Sequence, residues 1–87
     1  KKVNLAYENG NLKIEAIHKV KDVTTHYIDL ITIKANGKEI KTIKPQKQTS
    51  TQSEVVEVSL PGLAKGTKIE VTTRCNEFGK KSATLVL

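Results

Sequence analysis

Hydrophobic and polar residues alternate along this chain in short runs, and nowhere do apolar residues recur at the three-to-four-residue interval of an amphipathic helix. The runs are rich in β-branched residues and are separated by turn formers, which is the pattern of strands with one buried face. Seven strands are predicted: KVNLAY from Lys2, NLKIEAIHK from Asn11, HYIDLITIK from His26, EIKTI from Glu39, SEVVEVSL from Ser53, KIEVTTRC from Lys68 and SATLVL from Ser82. The segments ENGN, between the first two, and ANGK, between the third and fourth, each carry an Asn-Gly pair whose easy access to positive φ favours a tight hairpin. LPGLAKGT supplies two further turn signals, whereas KPQKQTSTQ, polar with one proline and no apolar residue, reads as a mobile loop.

Seven short antiparallel strands at this spacing predict an all-β fold, an immunoglobulin-like seven-stranded antiparallel β-sandwich without the intersheet cysteine pair of antibody domains. A barrel is the alternative. Period-two alternation places Leu12, Ile14 and Ala16 in one core row, Val56, Val58 and Leu60 in a second, and Ile69 and Val71 in a third. Two of these rows continue to reactive side chains. His18 follows Leu12, Ile14 and Ala16 at even spacing, and Cys75 follows Ile69, Val71 and Thr73, so both leave the core face near a strand end, where a site can form.

The length of 87 residues corresponds to one domain, 1–87, close to the size at which a single core is marginal without staples. One cysteine allows no internal disulfide and leaves the redox compartment open. No apolar run approaches the roughly 18–20 residues of a membrane span, and KKVNLAYENG lacks the apolar centre of a signal peptide. The chain therefore reads as soluble, either cytoplasmic or exported with a removed leader. The net charge of +6 raises nucleic acid as a partner class. However, the lysines are spread singly along the strands, as at Lys13, Lys34, Lys41 and Lys68, and three aromatic residues offer little for base stacking. Charged strand edges that discourage aggregation account for most of this charge, and a field that attracts small anions is its functional reading. No basic amphipathic helix marks a membrane surface binder.

His18, His26 and Cys75 are the candidates for chemistry, because one thiolate with two imidazoles is a partial donor set for iron, zinc or copper. The histidines stand eight residues apart across KVKDVTT, which is no metal-finger spacing, so they meet only if a turn folds them together. The competing reading makes Cys75 a small buried hydrophobe and the histidines solvated strand ends. A Cys-His nucleophile pair is formally available, but no nucleophile elbow or oxyanion loop accompanies it. Glu15, Glu39, Glu54, Glu57 and Glu70 alternate with apolar residues as on an exposed sheet face, which gives paired-carboxylate catalysis no home.

CNEFG resembles the Cys-Asn-x-His-Gly motif of the superoxide reductases, the neelaredoxin and desulfoferrodoxin family. HYIDLITIKANGKEI resembles that family's His-Tyr-Ile strand with its Asn/Asp-Gly-Lys hairpin, and the likeness runs from KKV through HKVKDVTTHYI to the last strand. The resemblance implies the immunoglobulin-like sandwich. It also implies a mononuclear iron on four equatorial histidines and one axial cysteine thiolate, which in its ferrous form reduces superoxide to peroxide. On this likeness Cys75 matches the axial thiolate, His26 the histidine before Tyr-Ile, and His18 the histidine that usually opens His-Pro-Met, here His-Lys-Val. Phe78 stands where the family has a histidine three after the cysteine, and Lys2 where it has its first. The family uses a lysine near the open iron face to attract superoxide, and on this likeness Lys1, which aligns just before the lost first histidine, is the catalytic candidate.

With two ligands replaced, the remaining three donors suit Zn²⁺ with a water, or trigonal Cu⁺, as well as iron. In the alternative the site is lost, Phe78 packs over Cys75 as an apolar plug, and the fold serves as a binding module. A second resemblance, to the smaller subunit of the thiosulfate-oxidising sulfur carrier complex, rests on the sandwich and a similar HFI…NGK block. It implies a non-catalytic interaction or carrier module, pairing with a protein partner or a second copy through an edge strand or the KPQKQTSTQ loop.

Overall fold

A computed structural model describes residues 2–87. Among the described residues the chain is all-β, with seven strands: β1 (Lys2–Glu8), β2 (Asn11–Ile17), β3 (Ile28–Ala35), β4 (Lys38–Ile43), β5 (Ser53–Ser59), β6 (Lys68–Cys75) and β7 (Lys80–Val86). They form two antiparallel sheets, β1-β2-β5 and β4-β3-β6-β7. Among the described residues no helix is long and apolar enough to cross a membrane. Both Asn-Gly pairs close hairpins as predicted. Asn9 and Gly10 take φ of 54° and 80°, and Asn36 and Gly37 take 52° and 86°, the double positive φ that matches the right-handed twist of the flanking strands.

The core lies between the sheets. Leu12, Ile14 and Ala16 of β2 meet Ile69 and Val71 of β6 there, with Val58 also buried and Val56 and Leu60 partly so. Each fully buried Leu or Ile contributes about 1.5–3 kcal/mol through removal of apolar surface from water. Ile28, Ile31 and Ile33 of β3 complete the core, although Ile28 and Ile31 differ in parity. A bulge reconciles them. Ile28 pairs with Cys75 and Leu30 with Arg74, so Asp29 is an extra residue on β3. Its carboxylate accepts from Arg74 Nε and Nη2, each at 3.1 Å. This fork, and the charge of Asp29, raise the Arg74 guanidinium above its ordinary range.

Two expectations need correction. The polar stretch between β4 and β5 is fastened to the fold: Gln48 is 1% exposed, its amide N–H donates to Val23 O at 3.0 Å, and Ser50 N donates to Ser53 O at 3.1 Å. Glu54, expected on an exposed face, is buried at the start of β5. Its Oε1 accepts from the Thr49 amide at 2.6 Å and from the Thr49 hydroxyl, and these bonds offset the cost of taking a carboxylate out of water.

Strand ends shift as well. β2 stops at Ile17 and β3 starts at Ile28, so both histidines lie in the connection rather than in the strands predicted to hold them.

Candidate metal centre

His18 keeps the inward facing of the β2 row. Past the strand end, His18 N still donates to Gln52 O at 3.0 Å and Val20 N to Thr51 O at 2.9 Å, so the side chain stays in phase with Ala16 and is buried. The chain then reverses around Asp22. The Asp22 carboxylate accepts from the Thr24 amide at 2.9 Å and the Thr24 hydroxyl at 2.6 Å, while Asp22 O accepts from His26 N at 3.1 Å. Such side-chain capping is why Asp and Thr favour turns. The Thr24 hydroxyl, then the Thr24 amide, hold the Asp22 carboxyl below the usual carboxylate range. The reversal brings the two imidazoles together with ring centroids 4.8 Å apart and planes at 89°.

Cys75, the last residue of β6, lies opposite Ile28, the first of β3. Asn76 ties this strand end to the histidine turn. Its backbone N–H donates to Tyr27 O at 3.0 Å, its Oδ1 accepts from Tyr27 N at 3.0 Å, and its Nδ2 donates to Thr25 O at 3.1 Å, so His26 is held from both sides.

The donor atoms of His18, His26 and Cys75 all lie within 4.8 Å of one another. His26 Nε2 is 3.1 Å from Cys75 Sγ, and Glu77 N donates to the same sulfur at 3.5 Å. His26 Nδ1 stands 4.0 Å from a carboxylate oxygen of Glu77. On the other ring, His18 Nδ1 is 2.8 Å from Gln48 Oε1. His18 Nε2 is buried with no hydrogen-bond partner, and it is the one buried side-chain nitrogen or oxygen in that condition among the described residues. Tetrahedral Zn²⁺ bonds of about 2.0 Å to nitrogen and 2.3 Å to sulfur set neighbouring donors about 3.3–3.5 Å apart. With its donors within 4.8 Å of one another, the trio needs adjustments of about 1.5 Å at most to hold an ion of this kind.

Two hollows flank the cluster. One, of about 20 Å³, is bounded by Ala16, His18, Ile28, Thr73 and Cys75 and opens past exposed Lys2, Lys80 and Lys81. Outward, a groove lined by Lys19, Lys21, Asp22, Thr25, His26 and Glu77 leads from the His26 ring to solvent. A three-donor set with an open side is the arrangement that leaves a position for water or substrate.

All three sequence-predicted donors are therefore brought together. Lys1, the catalytic candidate, lies outside the described residues. Phe78 does not plug the site: it is 85% exposed, because the bond from Cys75 N to Gly79 O at 3.0 Å closes a short turn over residues 75–79 that leaves it in solvent. Gln48 and the cross-bonding of Asn76 escape sequence reasoning, since neither follows a periodic pattern. Compared with protein-family models, with curated proteins and with solved structures, the chain finds no match.

Proposed function

We propose that this chain is a metal-binding domain of the superoxide-reductase-like type, an immunoglobulin-like sandwich in which His18, His26 and Cys75 hold one metal ion. The observation that carries this reading is the bare Nε2 of His18. A buried imidazole nitrogen without a partner forfeits a hydrogen bond, a cost that a coordination bond removes. The contact of His26 with Cys75 alone would also fit a Cys-His nucleophile, but such a pair gives His18 nothing to do. The donor set fits the group: a thiolate and two imidazoles suit Zn²⁺, Cu⁺ or Fe²⁺.

The chain's own residues do the rest. Cys75 and the two histidines hold the ion beside the groove, and the Glu77 amide steadies the thiolate charge. In the groove itself Asp22 and Glu77 balance Lys19 and Lys21, so it is the net charge of +6 that supplies a positive field for a small anion such as superoxide. Ferrous iron held there would supply one electron to superoxide, and two solvent protons complete hydrogen peroxide.

Exposed Phe78, beside the site, together with partly exposed Ile40 on β4 and Val55 on β5, favours a second reading. In it the domain is a non-catalytic carrier or interaction module, like the smaller subunit of the thiosulfate-oxidising complex. One experiment separates the two. Protein purified without oxygen is loaded with Fe²⁺, Zn²⁺ or Cu⁺, and bound metal per chain is measured for wild type and Cys75→Ser. About one tightly held ion, lost in the variant, supports the metal centre and leads to superoxide assays of the iron form. No retained metal in wild type sinks it and leaves the interaction module.

A further inference from the structure

Gln48 is the least expected buried residue in the protein, a glutamine in a stretch without one apolar side chain. Its side-chain nitrogen donates to two carbonyl oxygens, His18 O at 2.7 Å and Ser50 O at 2.8 Å. A carbonyl can only accept, so this end of the amide is the NH₂ group and the opposite end is the oxygen. That oxygen lies 2.8 Å from His18 Nδ1, and since it too can only accept, Nδ1 must carry the proton. A neutral imidazole has one N–H, so Nε2 of His18 presents a lone pair. The opposite tautomer is penalised twice. It would set two lone pairs against each other at 2.8 Å, and it would bury an N–H at Nε2 where nothing accepts it.

Gln48 is itself held in place. Its backbone N–H donates to Val23 O, inside the reversal that separates the two histidines, and the neighbouring Thr49 is anchored on buried Glu54. One residue thus grips the His18 ring, the His18 backbone and the turn that delivers His26.

We infer that Gln48 is a positioning residue, whose buried amide locks His18 in the Nδ1–H tautomer and keeps Nε2 free as a donor. Its value to a metal rests on the metal-centre reading, but the tautomer lock is a property of the metal-free protein. Partners of this kind, which orient a ligand without touching the ion, are typically worth about 10–100-fold in metal affinity.

The test is a long-range ¹H–¹⁵N spectrum of metal-free protein at pH 7.5, for wild type, Gln48→Leu and Gln48→Glu, followed by Zn²⁺ titration of each. Wild type is expected to show a protonated Nδ1 and an unprotonated Nε2 at His18. Gln48→Leu should lose that single tautomer and bind Zn²⁺ about 10–100-fold more weakly. Gln48→Glu keeps an acceptor for Nδ1–H but sets its second oxygen against the His18 and Ser50 carbonyls in place of the NH₂ group, so it should restore little of either. A wild-type His18 with its proton on Nε2 overturns the inference without any variant having to fold. So does Gln48→Leu retaining the Nδ1–H tautomer. If no form binds Zn²⁺ while the wild-type tautomer is as expected, the metal reading fails and the positioning role of Gln48 stands.

Discussion

His26 Nε2 lies 3.1 Å from Cys75 Sγ across 49 residues of sequence. Neither residue owes that contact to its own segment alone: an Asp22-capped turn presents the imidazole, and the end of β6 presents the sulfur. Cys75→Ser is nearly isosteric, so it should leave the fold intact while replacing a thiolate by a hydroxyl that remains protonated at neutral pH. Metal affinity should then fall by more than the roughly 10–100-fold that removing a ligand's partner costs. Cobalt substitution checks this directly, because the thiolate-to-metal absorption band should be present in wild type and absent in the variant.

Binding to the folded state alone must stabilise the domain. At free metal 100 times the dissociation constant the gain is about 2.7 kcal/mol. For a chain of this size each kcal/mol moves the melting temperature by about 4–8 °C. Thermal melts with and without Zn²⁺ should therefore differ by about 10 °C or more, and a chelator should reverse the shift. Identical melts would count against the centre.

The Asp22 carboxyl supplies a pH dependence of its own. Its value is depressed in the folded protein by the Thr24 hydroxyl and amide, so its stabilising contribution is present above the usual aspartate value of about 3.9 and is lost as pH falls through the lower folded value. The Thr24 amide resonance should titrate with a midpoint below about 3.9. In Asp22→Asn that titration should vanish, and a midpoint at or above the ordinary value would show that the turn is not capped as described.

Ile31 sits at the centre of the four-stranded sheet with no exposed surface. Ile31→Ala removes three buried carbons and leaves a cavity, which costs about 2–5 kcal/mol. Small domains hold only about 5–15 kcal/mol in total, so urea melts should show a midpoint greatly lowered or a chain unfolded at the outset.

Phe78 gives the opposite case. Being 85% exposed, Phe78→Ser should change stability by no more than about 0.5 kcal/mol and leave metal affinity unaltered. A large loss of metal would mean that the ring covers the centre after all.

What could be read from the sequence divides along physical lines. Asn9-Gly10 and Asn36-Gly37 announce their hairpins because the required backbone conformation is local. The rows ending in His18 and Cys75 could be followed because each strand keeps strict alternation to its end. By contrast, the place of Ile28 depends on the bulge at Asp29, which is stabilised by Arg74, 45 residues away, and leaves no mark in local periodicity. Gln48 and Glu54 were illegible for a related reason. Gln48 is satisfied by His18, 30 residues away, and Glu54 by Thr49 across an aperiodic turn, and a polar side chain that is satisfied inside looks, in sequence, like one that is solvated outside.

The way β3 pairs with β6, and β2 with β5, also sets an order of events. The β1–β2 and β3–β4 hairpins close through adjacent turns, a step that takes about 1–10 μs, whereas joining β3 to β6 brings together segments some forty residues apart and must wait for slower, larger loop closures. His18, His26 and Cys75 stand at the ends of those late pairings. The local Asp22 turn can form early between the two histidines, but Cys75 joins them only when β6 has paired with β3. On the proposed reading, the complete three-donor set is therefore offered to metal only by the folded domain.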